Sequence, residues 1–274
     1  MADVNRGRST AREMVDTARA EGFAASPRLL RDWVQRGLLA PPNRVSLGRA
    51  RGSSATWPYD QARLFVSFLG HHRPGTRLTP LYNLPVWIWL RFGEEYVPTI
   101  QLRRALTSWG RDVTHEPFGP AERSAARVAR RLSRKNSKRA VRKRLRQLLA
   151  DLAAGEPVGR LDLLSAARDV MDPEGLGLAR GPLGAQLTPE AYIDLVYARL
   201  AAISAVRSMG GSEFEEVRRL YAAARAGYAA AQPGYARDPD LGSLYESPTI
   251  ETEINSACAD LVTVIGLWRQ HAPK

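Results

Sequence analysis

The stretch Ser26–Pro42, SPRLLRDWVQRGLLAPP, decides how the first third of this chain is read. Ser26 is a favoured N-cap residue, and Pro27 then falls at the first helical position, where the missing N–H is of no consequence. Leu29, Leu30, Trp33 and Val34 follow at spacings that gather them on one side of a helix. Gly37 supplies a C-cap, and Pro41-Pro42 forbid continuation. Arg28, Arg31 and Asp32 are left on the polar side. A short, sharply bounded amphipathic helix with cations near its start is therefore expected.

N-terminal to this stretch, Ala11 to Ala20 reads as a preceding helix, with Met14, Val15 and Ala18 on one face and Gly22 at its end. Residues 1 to about 10 are polar and are expected to fray. Downstream, PNRVSLGRARGSSATWP (42–58) is rich in Gly, Ser and Arg and reads as a hairpin between short extended pieces. Tyr59 to His71 returns to helical spacing, with Ala62, Leu64, Phe65, Phe68 and Leu69 as its buried side and Pro74-Gly75 beyond its end. Helix, tight turn, helix, Arg/Gly-rich hairpin and helix is the order of a winged helix-turn-helix. In that arrangement the second helix faces the major groove, where Arg28 and Arg31, with Ser26 at the cap, meet base edges and phosphates. Arg44, Arg49 and Arg51 on the hairpin would lie along the backbone. Trp33 continues the Leu29/Leu30 stripe and reads as core, and Trp57 reads as the packed anchor of the hairpin.

At residue level the stretch resembles the recognition helix of the MerR family, whose pattern runs Ser-x-Arg-Thr-Leu-Arg-Tyr-Tyr-Glu-x-x-Gly-Leu-Leu-x-Pro. Ser26, Arg28, Leu30, Arg31, Gly37, Leu38, Leu39 and Pro41 match it, and Trp33 takes the second aromatic position. The likeness runs on through Gly48-Arg49-Ala50-Arg51-Gly52 to Trp57. It then continues into QARLFVSFLGHHRPGTRL, where Arg73, Gly75 and Leu78 occupy the family's Arg-x-x-Gly-x-x-Leu places. It covers residues 11–80, under a third of the chain. What the resemblance implies is a winged-helix fold and binding of double-stranded DNA. Two departures stand out: Asp32 replaces the first aromatic, and the family's long dimerisation helix is not evident where it is expected.

The rest of the chain reads as helical. Residues 81–118 form a short helical extension, with helices at Val86–Phe92 and Thr99–Arg111, the latter carrying Ile100, Leu102, Leu106 and Trp109 on its apolar side. Residues 119–155 form a basic helical segment. Between 123 and 146 there are twelve Lys and Arg with no acid among them, as many as the net charge of +12. The remainder is thus near neutral and the basicity is local, which favours a polyanionic partner. Val128, Leu132, Val141, Leu145, Leu148 and Leu152 give that segment a narrow apolar side that would dock on a bundle. Arg142, Lys143 and Arg144 are its candidate phosphate ligands. Residues 157–271 read as a C-terminal helical domain for dimerisation, a partner or an effector. Its elements are a helix at Arg160–Val170, a Gly/Pro-rich linker at 171–186, a helix from Thr188-Pro189-Glu190 with Ile193, Val196, Leu200 and Ile203 on one face, a second capped by Ser212 with Phe214, Val217, Leu220 and Tyr221, a loop at 232–243, and a last helix from Thr249 with Ile250, Ile254, Ala257, Leu261, Val264 and Leu267. Tyr192, Tyr197, Tyr221 and Tyr228 are candidates for a small-molecule pocket.

The fold class expected is therefore mainly α: a winged helix-turn-helix with a small β-hairpin wing, followed by a helical bundle. Catalysis has little support. His71-His72 point apart on a helix, His115-Glu116 lies in a Pro-rich loop, and Asp172, Glu174, Asp238 and Asp240 lack a common frame. No glycine-rich phosphate loop of the required spacing occurs. Cys258 is the single cysteine, excluding an intrachain disulfide and a thiolate zinc cluster, and is expected to be packed. No cofactor or metal is expected. The apolar run Leu84–Leu90 is far short of the ~20 residues of a spanning helix, and the N-terminus lacks a secretory h-region, so a cytoplasmic, nucleoid-associated protein without a membrane partner is expected. The leading functional expectation is a sequence-specific DNA-binding transcriptional regulator, acting as a homodimer where one small winged helix buries too little surface alone. Two alternatives stay open: an accessory or architectural DNA-binding protein of a mobile element or replication system, excisionase-like, and a basic protein-interaction or RNA-binding module.

Overall fold

The computed structural model describes residues 7–46, 53–72, 75–114, 137–170, 188–231 and 250–271. The chain is mainly helical, with a small three-stranded antiparallel sheet. It divides into two compact units, Met1–Ser108 and Trp109–Lys274. The sequence places boundaries near residues 80, 118 and 156, and this single division falls between Ser108 and Trp109.

In the first unit, β1 (Arg8–Thr10) leads directly into α1 (Ala11–Ala20). Thr10 and Glu13 form a capping box: the Glu13 N–H donates to Thr10 Oγ1 at 3.3 Å, and the Thr10 N–H donates to Glu13 Oε2 at 2.7 Å. Met14, Val15 and Ala18 are the buried face of α1, as their spacing predicts. The turn to α2 (Pro27–Arg36) is tied by Arg19, whose Nε donates to the Ala25 carbonyl at 3.1 Å. β2 (Asn43–Ser46) and β3 (Ser53–Pro58) pair antiparallel, with Arg44 opposite Ala55 and Asn43 opposite Thr56. β1 joins the free side of β3, Ser9 opposite Trp57, so the order is β1-β3-β2. The expectation that the N-terminus frays is thereby corrected for residues 8–10: β3 offers an unpaired edge, and pairing satisfies backbone groups that the polar composition alone does not reveal.

Then come α3 (Tyr59–His71), a 3-10 turn at Thr79–Tyr82, α4 (Asn83–Phe92) and α5 (Thr99–Thr114). α4 begins three residues before the predicted Val86, and α5 runs on past Arg111. Ile100 is exposed rather than part of the apolar face, while Leu102 and Leu106 are fully buried. Trp33 is the centre of this unit's core. Its ring meets Phe65 and Phe68 edge-on, with centroids at 5.3 and 5.8 Å, a favoured aromatic geometry.

The second unit consists, among the described residues, of the end of α5 with α6 (Arg139–Ala154), α7 (Arg160–Val170), α8 (Pro189–Ala205), α9 (Gly211–Ala231) and α10 (Ile250–His271). Thr188 caps α8 through its hydroxyl, which accepts from the Ala191 N–H at 3.1 Å. Leu145 and Leu149 of α6, Leu163, Ala166, Ala167 and Val170 of α7, and Ile193 of α8 form one core. A second core lies between α8, α9 and α10, where Ala198, Ala202, Phe214, Val217, Ala257, Leu261 and Ile265 are buried, with Cys258 packed as expected.

Several expectations here are corrected. Ser212 is exposed within the first turn of α9; the first helical bond is accepted by the Gly210 carbonyl, and Glu213 reaches back to accept from the Gly210 N–H at 2.6 Å. On α8 the deeply buried residues after Ile193 are Ala198, Ala202 and Ala205, not the larger Val196, Leu200 and Ile203. The cause is the closeness of α10: a Cβ added at Gly266 would stand 2.1 Å from the Ala198 carbonyl oxygen, so only small residues fit this crossing. Leu220 and Ile250 are exposed as well. Residues 115–136, 171–187 and 232–249, which include six of the basic residues, the linker, the loop and Thr249, lie outside the described residues.

Candidate nucleic-acid interface

The local sequence fixes α2 at both ends. Ser26 Oγ accepts from the Leu29 N–H at 3.2 Å, and Pro27 opens the helix. Gly37 turns the chain with φ of 80°, in the left-handed region. The Gly37 N–H bonds Val34 O at 3.2 Å and the Leu38 N–H bonds Trp33 O at 2.9 Å, the two bonds of a Schellman motif. The next residues, Leu38, Leu39 and Ala40, are buried, and Ala40 O accepts from Trp57 Nε1 at 2.8 Å. Trp57 thus anchors the strand pair to the helix end.

A tertiary brace, absent from the sequence reading, completes this fixing. Gln101 on α5 donates to Leu38 O at 2.9 Å, and Arg104 Nη1 donates to Val34 O at 3.3 Å. Gln61 on α3 accepts from the Ala40 N–H at 2.8 Å and donates to Tyr96 O and Gln101 Oε1, both at 3.1 Å. Gln61 and Gln101 are buried, and together they satisfy polar backbone groups just after α2. Gly37 packs so closely on α5 that a Cβ there would fall 2.2 Å from the Ala105 nitrogen. The C-terminal end of α2 is therefore held against α5, within the first unit.

What α2 turns outward is its cationic side. Arg28, Arg31 and Gln35 are exposed at spacings of three and four, hence on one face. Arg31 Nε makes a 3.3 Å bond to Pro27 O, which rests the side chain along the helix. Asp32 is engaged within the helix: Arg36 Nε donates to both of its carboxylate oxygens at 3.1 Å. A hydrogen bond to Tyr82, opposed by partial burial and reinforced by Asp32, holds the Arg36 guanidinium above its ordinary pKa. The single acid of α2 is thus neutralised by its own helix. Ser26 serves as the cap and is half-buried, and Arg44 is exposed on β2. Arg49 and Arg51 lie outside the described residues.

In the second unit, Arg142, Lys143 and Arg144 are all exposed on α6, and Arg144 stands 3.8 Å from Asp162 of α7. Three of the four tyrosines have described side chains, and these lie in two surroundings. Tyr192 and Tyr197 pack on the α6/α7 core, with the Tyr197 hydroxyl donating to Val158 O at 3.2 Å. Tyr221 stands beside Arg225, and the Tyr228 side chain lies outside those described. A polar seam runs between α8, α9 and α10. Arg225 pairs with the buried Glu253, Ser256 Oγ donates to Asp260 Oδ2 at 2.7 Å, and Arg199 Nε donates to Thr263 Oγ1 at 2.7 Å. Burial pushes the Asp260 carboxyl above the usual carboxylate range, against the opposing pull of Ser256, Arg199 and Arg225.

Among the described residues no group of His, Cys, Asp and Glu is arranged to hold a metal ion, and no helix is long and apolar enough to cross a membrane. No family model, curated protein or solved structure matches this chain.

Proposed function

We propose that the first unit is a winged helix-turn-helix that reads double-stranded DNA, and that the chain is a sequence-specific DNA-binding regulator. The observation that carries this reading is the outward face of α2, where Arg28 and Arg31 stand exposed on a helix capped at both ends and braced from behind. A base-reading helix needs that combination, because side chains can discriminate base edges only from a fixed frame. The order α1, α2, β2–β3, α3 supports the same reading, as does Arg44 exposed on the edge strand β2, where it suits a phosphate. Ser26 acts by capping, and its N-terminal helix end adds a favourable dipole toward the backbone.

The test compares affinity for a selected duplex with affinity for random duplex at physiological salt. The wild-type protein should prefer its site by about 10³-fold or more. Arg28→Ala with Arg31→Ala should remove that preference and leave weaker, sequence-independent binding. Specific binding that survives the double substitution refutes the assignment of α2.

A further inference from the structure

α6 combines two faces of opposite character. Val141, Leu145, Leu148, Leu149 and Leu152 recur at three- and four-residue spacing and are packed on the core formed with α7 and α8. The docked side fixes which way the rest of the helix points. Arg139, Arg142, Lys143 and Arg146 occupy i, i+3, i+4 and i+7, and all four are exposed. They form one stripe about 10 Å long, at a rise of 1.5 Å per residue.

Four observations mark this stripe as built for a polyanion. Among the described residues none of the four cations has an ion-pair partner, whereas the neighbouring Arg144 and Arg160 pair with Asp162 and Asp194. Like charges at these spacings oppose helix formation. The first turn of α6 carries no acid, and Lys138 at the N-cap makes no side-chain capping bond, so the cations also oppose the helix dipole. Finally, the stripe contains no aromatic or large apolar residue, the anchors on which protein interfaces depend. A regular backbone of phosphates relieves the repulsion and demands no such anchor.

We infer that the second unit holds a nucleic-acid-binding surface of its own, in which Arg139, Arg142, Lys143 and Arg146 of α6 grip the phosphate backbone of duplex DNA without reading its sequence. This surface stands independently of the α2 reading. It gives the full chain two attachments to DNA, one selective and one general. It also replaces the sequence-based trio of Arg142, Lys143 and Arg144 by a set that shares one face.

The full-length protein carrying Arg139→Gln, Arg142→Gln, Lys143→Gln and Arg146→Gln tests it, with random-sequence duplex as the probe and salt concentration as the variable. Removing one phosphate-neutralising cation should flatten the plot of log affinity against log salt by about 0.9, so the four-fold variant should lose a slope of about 2 to 4. Arg144→Gln, assayed alongside, should change the slope by less than about 0.5. Circular dichroism and thermal melting should show the four-fold variant folded, with a melting temperature equal to or above the wild type because repulsion has been removed. The single Arg142→Gln variant, expected to lose about 0.9, provides the reading if the four-fold variant is unfolded. An unchanged slope overturns the proposal. So does an equal loss in Arg144→Gln, or wild-type binding confined to single-stranded RNA or to an acidic polypeptide.

Discussion

Gly37 carries two constraints at once: a backbone with φ of 80°, and no room for a side chain because Ala105 nitrogen lies 2.2 Å from where a Cβ would stand. Gly37→Ala should therefore destabilise the first unit by about 2 kcal/mol or more, combining left-handed strain with overpacking. Urea denaturation followed by tryptophan fluorescence measures it, and a loss below about 0.5 kcal/mol would mean that α5 does not brace the helix as described. Asp260 offers a different test. Its carboxyl is raised by burial, so the folded state holds that proton more tightly than the unfolded chain does. The stability it contributes is complete below the ordinary carboxylate pKa, near ~3.9, and is lost as pH rises through the raised folded value. Asp260→Asn keeps an acceptor for Ser256 but has no proton to lose. Relative to this variant, the wild type should lose stability as pH climbs from about 4 through the raised value. Parallel pH–stability curves for the two proteins would contradict a half-buried carboxylate that is costly to ionise.

Among the elements, α2 was legible because its signals are local: a serine cap, a proline at the first position, an apolar stripe and a terminal glycine. α1, α3 and α7 appear with the bounds their periodicity predicts, for the same reason. β1 was not legible, since Arg8–Thr10 becomes a strand only through its pairing with β3, about fifty residues away. The brace of Gln61 and Gln101 is equally remote, a 3.1 Å bond across 40 residues between side chains that look like surface glutamines. On α8, Val196, Leu200 and Ile203 stand out by size, although close helix approach selects the alanines opposite Gly266. Asp32 shows the limit of matching single positions, because its partner Arg36 stands four residues on, an i,i+4 pair that the geometry confirms. Asp32→Ala should thus cost only about 0.3–0.5 kcal/mol, the worth of an i,i+4 pair. It should leave the choice of DNA site intact, measured as the ratio of affinities for selected and random duplex. A changed site preference would make Asp32 a base reader instead.

Across the whole molecule, charge is unevenly placed. The cations between 123 and 146 are as numerous as the net charge of +12, and the described part of that run includes a stripe on one helix of the second unit. Among the described residues, the first unit alone presents arginines on a helix framed by a strand pair, which is why we propose selectivity there and general affinity at α6. Selection of bound fragments from a random duplex pool, run in parallel with the wild type and with Arg28→Ala/Arg31→Ala, separates these two roles. The wild type should enrich one motif, while the variant should retain salt-sensitive binding and enrich none. A wild type that enriches no motif, or a variant that enriches the same one, would contradict this proposal.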